Sequence, residues 1–138
     1  MSDQTSLNPY LTFYGQCEEA FNFYAKCLGV KVGDMHRFKD MPGEQPSEPG
    51  LANQIMHTSL TFNGQTLMGS DGMPGMPNEG HKGFTLSLNV TSQDDAERLF
   101  KAFSEGGQVT MPLAATFFAK SFGTLTDKFG VSWMVHLE

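Results

Sequence analysis

Residues 84–107 of the chain read FTLSLNVTSQDDAERLFKAFSEGG, and this stretch decides the fold. Its first seven residues alternate between apolar and polar side chains, which is typical of a strand with one buried face. Thr91 to Asp95 then place hydroxyl groups before acidic groups, a combination that favours the start of a helix. Gly106-Gly107 predicts the end of that helix. Between these limits the apolar positions recur at helical spacing: Ala96, Leu99, Phe100 and Phe103.

The first half of the chain follows the same plan. Residues 10–14 alternate and predict a strand, and Cys17–Leu28 predicts a helix. Glu18 and Glu19 lie in the first turn of this helix, where the helix dipole favours acidic side chains. Gly29 predicts its C-terminal end. The apolar positions again recur at helical spacing: Ala20, Phe21, Tyr24, Cys27 and Leu28.

Three further strands are predicted after each helix. In the first half they cover residues 30–38, 54–62 and 65–69, with Asn63-Gly64 as a hairpin turn. In the second half they cover residues 108–113, 122–126 and 131–137, with Asp127–Gly130 closing the last hairpin. Residues 39–53 and 71–83 are predicted loops. We therefore predict a single α+β domain over residues 1–138, made of two tandem βαβββ modules at about 8–77 and 82–138.

Composition excludes several classes of protein. The 138 residues carry a net charge of −6, and their nine Lys and Arg are scattered along the chain, so we expect no nucleic-acid partner. No apolar run has the length of a membrane span, and residues 1–8 are polar without an apolar signal core, so we expect no membrane association and a cytoplasmic location. Cys17 and Cys27 would lie about 15 Å apart on the predicted helix, too far for a disulfide. Cys17 is either a thiol of lowered pKa at a helix start or a plain half-buried thiol.

Several chemistries lack their motifs. No Gly-rich phosphate loop joins a strand to a helix, which weighs against dinucleotide-dependent enzymes and a Rossmann-type methyltransferase. No Gly-x-Ser-x-Gly elbow is present, and the Cys and His spacing suits no zinc site.

Short strings along nearly the whole chain resemble one family. They include Tyr10-Leu11-Thr12-Phe13, Ile55-Met56-His57, Leu67-Met68-Gly69-Ser70-Asp71, Gly83-Phe84-Thr85-Leu86-Ser87-Leu88, Met111-Pro112-Leu113 and the segment Phe122 to Met134. In their order these strings resemble the PhnB-like branch of the glyoxalase/bleomycin-resistance (vicinal oxygen chelate) superfamily, in which some relatives carry a demethylubiquinone methyltransferase label. The resemblance implies curved mixed sheets around a cavity with helices outside, and a homodimer. It does not settle a reaction, because the superfamily includes isomerases, dioxygenases, thiol transferases and drug-binding proteins.

The resemblance also implies where a metal would bind. Metal-dependent relatives carry His, Gln or Glu on the first strand of each module and Glu on the last. Carried over by strand alternation, those positions hold Tyr10, about Thr85, and Met134, with Met68 at the position that matches Met134. None is a His or a carboxylate, and a thioether suits few of the usual ions. We therefore expect no metal at the usual site and no cofactor, while a divalent metal at an atypical site stays open.

His57 and Asp71 are the candidate catalytic residues. His57 lies on a strand whose Leu60 and Phe62 should face a helix, so His57 and Ser59 should face the opposite way. It could transfer a proton, donate a hydrogen bond to a ligand, or only bond a neighbour. Asp71 follows the hairpin and could pair with His57, bind a ligand, or cap a turn.

The predicted ligand-binding residues are drawn from both modules. Tyr10, Thr12 and Tyr14 share one face of the first predicted strand, and their hydroxyl groups could line a pocket or be bonded within the core. Phe117, Phe118, Phe122 and Trp133 form a predicted aromatic cluster for ligand contact, core packing or dimer packing. The full set is Tyr10, Thr12, Tyr14, His57, Ser59, Met68, Thr85, Phe118, Phe122 and Met134. His36 with Arg37 is a basic pair that could hold an anion or lie solvated at a loop end.

Three functions are consistent with these features. The first is a small organic ligand bound in a cavity that lacks the usual metal triad. The second is an enzyme of the lyase, isomerase or transferase type that uses His57 and Asp71 or an atypical metal. The third is a dimeric protein whose cavity is packed and inert.

Overall fold

The structure is a computed structural model that describes residues 5–43, 49–73 and 75–138. The chain forms two compact units, Met1–Asn78 and Glu79–Glu138. Each unit is a four-stranded mixed sheet with a long helix packed on one face. The predicted α+β class with a duplicated βαβββ unit is confirmed, since the four strands and the long helix follow in the same order in both units.

The first unit contains a short strand, a long helix and three further strands. The elements are β1 (Tyr10–Thr12), α1 (Cys17–Leu28), β2 (His36–Arg37), a 3₁₀ turn (Phe38–Asp40), α2 (Pro49–Ala52), β3 (Ile55–Phe62) and β4 (Gln65–Ser70). Their order in the sheet is β1-β4-β3-β2. β1 runs parallel to β4, and the other neighbours are antiparallel.

The second unit repeats this topology. Its elements are β5 (Leu86–Val90), α3 (Gln93–Ser104), β6 (Gln108–Ala114), β7 (Ser121–Thr126) and β8 (Ser132–Leu137). The sheet order is β5-β8-β7-β6, with β5 parallel to β8. In both units the first strand therefore pairs with the last, as the repeat requires.

Aromatic side chains fill the space between each helix and its sheet. In the first unit the rings of Phe21 and Tyr24 are fully buried, and Phe21 packs edge-on against Phe13 at 5.9 Å between centroids. In the second unit the Phe103 and Trp133 rings lie 4.6 Å apart. Burying one such side chain stabilises the folded state by about 1.5–3 kcal/mol, so these rings account for much of each core.

Local signals correctly predicted the start of α3, the end of α1 and one hairpin turn. The Ser92 side chain accepts the backbone N–H of Asp95 at 3.1 Å and caps α3. Gly29 ends α1 in the left-handed conformation, with φ of 72°. Asn63 and Gly64 both have positive φ, as a tight two-residue hairpin turn requires.

Three predicted segments differ in the structure. The first strand ends at Thr12, because the chain turns at Tyr14 with φ of 53°. The predicted strand over 30–38 is reduced to His36–Arg37 and one bridge between Val32 and Leu60, because the 3₁₀ turn takes up its last residue and its edge position leaves one neighbour. The predicted loop over 39–53 contains the short helix α2, while residues 44–48 of that loop lie outside the described residues.

Among the described residues, no helix combines the length and the apolar character that a membrane crossing requires.

Candidate functional site

Strand alternation separates two faces of the first sheet. Gly69 faces α1, since a Cβ at this position would lie 2.8 Å from Cζ of Phe21. Its neighbour Met68 therefore points away from α1, and the pairing places Tyr10 and Ser59 beside Met68 on the same side. We call the sheet surface turned away from α1 the first distal face. The predicted site residues that it carries are Tyr10, Thr12, His57, Ser59 and Met68.

Tyr10 and His57 form a polar contact on this face. Tyr10 Oη lies 3.0 Å from His57 Nδ1, within hydrogen-bond distance. The two ring centroids are 5.6 Å apart, and Tyr10 remains 49% exposed. A phenol both donates and accepts, and an imidazole has a second ring nitrogen, so the pair can offer hydrogen bonds to a ligand while it holds itself in place.

The carboxylate of Asp71 accepts hydrogen bonds from the backbone. Its Oδ1 accepts the N–H groups of Gly15 and Cys17, and its Oδ2 accepts the N–H of Ile55, each at 2.8 Å. The carboxylate is buried, with the residue only 4% exposed. The hypothesis that Asp71 pairs with His57 is wrong, because His57 Nδ1 contacts Tyr10 Oη instead. Asp71 therefore performs the capping role that was the alternative.

Tyr14 does not share the face of Tyr10 and Thr12. It follows the end of β1 in the left-handed region, where strand alternation no longer applies. Its assignment to one strand row with Tyr10 was wrong, because β1 ends at Thr12 and the turn that leads into α1 begins two residues later, at Tyr14.

The second sheet has its own distal face, turned away from α3. Met134 lies on it, because Trp133 packs on Phe103 of α3 and alternates with Met134. The pairing places Ser87 opposite Met134, as Tyr10 lies opposite Met68. Thr85 precedes β5 and was the wrong equivalent of Tyr10, since the register differs by two residues from the one expected.

The predicted aromatic cluster divides between the two faces of this sheet. Trp133 is buried against α3, whereas Phe118 and Phe122 lie on the distal face with their ring centroids 5.1 Å apart. His136 joins them at 6.2 Å from each ring, and its Nδ1 lies 3.3 Å from Asn89 Oδ1. Phe118 and Phe122 therefore form one ring cluster with His136, whose surroundings could not be predicted from the sequence.

The basic pair His36-Arg37 is also divided. The Arg37 guanidinium bonds both carboxylate oxygens of Glu18, at 3.0 and 2.9 Å, and the backbone oxygen of Asn53 at 2.8 Å. The hydrogen bond from Arg37 holds the pKa of Glu18 below its usual value, and Glu18 raises the pKa of Arg37 in return. Arg37 thus links β2 to α1, and His36 alone remains on the distal face beside His57.

Comparison with known proteins adds the family. The sequence profile described as 3-demethylubiquinone-9 3-methyltransferase matches residues 5–136, nearly the whole chain. The chain belongs to this family. It is 33% identical to protein YjdN of Escherichia coli K12, over 95% of this chain and 94% of that protein.

Solved structures share the fold of this chain. The crystal structure of protein PA1353 from Pseudomonas aeruginosa has 47% identity and a TM-score of 0.90, over 98% of both chains. A PhnB protein from Bacillus cereus, called a putative 3-demethylubiquinone-9 3-methyltransferase, has 27% identity and a TM-score of 0.79, over 97% of this chain and all of that one. A glyoxalase/bleomycin-resistance protein from Albidiferax ferrireducens has 16% identity and a TM-score of 0.63, over 97% and 99% of the two chains, and shows the shared fold. The PhnB-like assignment and the glyoxalase/bleomycin-resistance fold are therefore confirmed.

The residues at the metal positions that the resemblance implies do not fit a divalent ion. In the first sheet these positions hold the phenol of Tyr10 and the thioether of Met68, which are register partners. In the second sheet they hold the hydroxyl of Ser87 and the thioether of Met134. Neither set supplies an imidazole or a carboxylate, the donors that such ions prefer. Within residues 5–43, 49–73 and 75–138, His, Cys, Asp and Glu form no group of three that could hold a metal.

The surroundings of Cys17 disfavour the thiolate, the form that makes a cysteine reactive. Burial raises its pKa well above the usual value, and the charges of Asp71 and Glu18 raise it further. The dipole of the helix start, which favours a thiolate, is outweighed because the side chain is fully buried. Cys17 is therefore part of the core, consistent with the second of the two alternatives.

Sequence reasoning gave the capping role of Asp71 only as one alternative and missed the structural role of Asp127. Asp71 holds three backbone groups, and Asp127 accepts the N–H groups of Phe129 and Val131 and the indole N–H of Trp133. One signal was available for both: each Asp directly follows a strand that leads into a turn, where Asp often bonds nearby backbone.

Proposed function

We propose that this protein is a cytoplasmic homodimer that binds a small oxygen-bearing organic molecule on the first distal face, without the usual metal triad. The observation that carries the proposal is the 3.0 Å contact between His57 Nδ1 and Oη of Tyr10, whose phenol is half-exposed. The pair offers hydrogen bonds, and the Met68 side chain next to Tyr10 offers apolar contact. Small-molecule sites combine a few placed polar groups with apolar walls in this way.

The family supports the same kind of ligand. The family's description names 3-demethylubiquinone, a ring that bears several oxygens, as the molecule its namesake acts on. A ring of this type would accept or donate hydrogen bonds at Tyr10 and His57 and pack its apolar edge on Met68. The proposal extends to binding alone, because the first strand–helix junction has no Gly-rich phosphate loop for a nucleotide-type cofactor.

The test uses catechol as an oxygen-bearing ring and toluene as a matched ring without oxygens. Catechol, in buffer with EDTA, should raise the melting temperature, and toluene should raise it less. Tyr10→Phe removes the phenol oxygen and should abolish the difference between the two rings. Tyr14→Phe removes a hydroxyl from the turn and should leave it intact. Equal catechol shifts in Tyr10→Phe and the wild type would contradict the proposal.

The dimer is supported by the superfamily resemblance. Sedimentation equilibrium should give twice the 15.2 kDa mass of one chain. The mass of a single chain throughout the micromolar range would exclude the homodimer.

The second candidate is an enzyme that transfers a proton through His57. It is favoured by the same contact, because Tyr10 orients the imidazole as a positioned general acid or base requires. Asp71 takes no part in this version, since its oxygens accept three backbone N–H groups. Exchange of ligand protons for solvent deuterium, lost in His57→Gln, would favour catalysis over binding alone.

The third candidate, an inert protein, makes the opposite prediction in the same measurements. It requires that catechol leave the melting temperature unchanged in the wild type as well as in Tyr10→Phe.

A further inference from the structure

Two histidines face each other on neighbouring strands of the first sheet. His36 of β2 is the register partner of His57 of β3 in their antiparallel pairing. Residues directly opposite in such a pair carry their side chains on the same face, with Cβ atoms about 5 Å apart. The two imidazole rings lie 6.4 Å apart between centroids and are nearly parallel, at 24°.

The contact with Tyr10 prepares one of these rings for a metal. When His57 Nδ1 carries the proton and donates it to Tyr10 Oη, Nε2 keeps its lone pair. Metal-binding histidines almost always donate their other ring N–H in this way, which fixes the tautomer and the ring orientation. Tyr10 is thus a positioning residue for His57 in this arrangement.

The ring separation of 6.4 Å is somewhat larger than that of two imidazoles on one ion. Imidazole nitrogens bind zinc at about 2 Å, so two rings on one tetrahedral ion have centroids about 5 Å apart. The nearly parallel rings must turn before their in-plane lone pairs meet at one ion, and the exposed His36, on a two-residue edge strand, is the ring that would move. Arg37 beside it does not oppose a cation, because its guanidinium is neutralised by both oxygens of Glu18.

We propose that His36 and His57 bind one divalent transition-metal ion of the borderline class, with copper bound more tightly than nickel or zinc. Neutral imidazole is a preferred ligand of these ions, and affinity follows the order of the first-row metals with a maximum at copper. The remaining coordination positions hold water or an oxygen of a ligand on the same face. The site lies on β2 and β3, whereas the positions tested above lie on the first and last strands of each unit. The metal proposal goes beyond the proposed function and does not depend on the organic ligand.

The test is calorimetric titration of the untagged, metal-free chain with Zn²⁺ and, separately, Cu²⁺. The wild type should bind one ion per chain at this site. His36→Ala and His57→Ala should each lower the affinity at least tenfold, and Tyr10→Phe should lower it by about tenfold, as loss of an orienting partner does. His136→Ala, which removes a histidine of the second sheet, serves as the matched control and should bind like the wild type.

The outcomes separate this site from the organic ligand. His36→Ala should lose the metal but keep the catechol shift measured in EDTA. Wild-type zinc affinity in His36→Ala, with an unchanged unfolding midpoint, would overturn the metal proposal and leave the proposed function standing. Metal binding that depends on both histidines, together with no catechol shift in any variant, would overturn the proposed function alone.

Discussion

The carboxylate of Asp71 accepts the backbone N–H of Cys17 at 2.8 Å, so the residue directly after β4 holds the first residue of α1. The Gln16 side chain makes no cap for this helix, and Asp71, 54 residues away in sequence from Cys17, takes its place. The same carboxylate holds Gly15 and Ile55, so it connects the end of β4 to the turn before α1, to α1 and to the start of β3.

Asp71→Asn should lower the free energy of unfolding by about 2–4 kcal/mol, because an amide nitrogen cannot accept a hydrogen bond and leaves at least one buried N–H without its charged partner. Urea unfolding at neutral pH would measure the loss. Asp94→Asn is the control, since Asp94 is an exposed first-turn acid of α3 and should cost less than about 1 kcal/mol. Equal losses in the two variants would contradict the role assigned to Asp71.

Asp127 has a corresponding role, with an optical readout. Its Oδ2 accepts the indole N–H of Trp133, the single tryptophan of the chain, at 2.8 Å. Asp127→Asn should destabilise the fold by about 2–4 kcal/mol and shift the emission of the folded protein, because the indole loses a charged partner. Ser132→Ala alters the residue next to Trp133 on the opposite side of the strand and should leave the emission unchanged. An unaltered spectrum in Asp127→Asn would show that this bond is dispensable.

Gly69 is required by the close approach of α1. A Cβ at this position would collide with Cε1 of Phe21 and lie 2.8 Å from its Cζ. Gly69→Ala should therefore cost about 1–3 kcal/mol of stability, the range for overpacking a core. Gly50→Ala is the control, since a Cβ there would meet no atom within 4 Å.

A double-mutant cycle completes the test of this contact. Phe21→Leu should reduce the cost of Gly69→Ala, giving a coupling energy of at least about 0.5 kcal/mol. If the free-energy changes of the two substitutions simply add, the cost of Gly69→Ala does not come from contact with Phe21.

The Glu18–Arg37 pair should contribute stability that depends on pH. Because the hydrogen bond from Arg37 lowers the pKa of Glu18 in the folded state, the contribution is present above the unfolded pKa of about 4.3 and is lost as pH falls through the folded pKa. Glu18 is 49% exposed, so Glu18→Gln should cost no more than about 1 kcal/mol at neutral pH. Unfolding midpoints of the two proteins should converge on acidification, and a difference that persists at about pH 2 would exclude this origin.

The buried thiol of Cys17 should be unreactive in the folded protein. Its pKa is raised by burial and by neighbouring carboxylates, and Cys27 is also buried. A thiol reagent at about pH 8 should modify neither in native buffer and both in denaturant, since the thiolate is the reactive form. Ser6→Cys places a thiol at an exposed position and should react at once. Rapid modification of native Cys17 would contradict its place in the core.

Much of the architecture and part of the site could be predicted from the sequence. Alternation around Leu60 predicted that His57 and Ser59 point away from the helix, and the structure has them on the first distal face. The contact between Tyr10 and His57 could not be predicted, because the two residues lie on strands separated by β4 and meet through its register. The pairing of Met134 with Ser87 rather than Thr85 could not be predicted for the same reason, since composition does not specify a two-residue shift along a strand.

The sequence by itself determined the order of the long helices and strands, several of their ends and the duplication, because apolar periodicity, the Ser92 cap and the turn at Asn63-Gly64 act over a few residues. Only the tertiary structure decided which side chains from distant parts of the sequence contact each other. Pairing of β1 with β4 and of β2 with β3 brought Tyr10 and His36 to the same imidazole, that of His57, and brought Asp71 to the start of α1. The physical reason is range: a cap or turn is formed by neighbours in the chain, whereas these contacts depend on strand register, which the packing of the whole sheet determines.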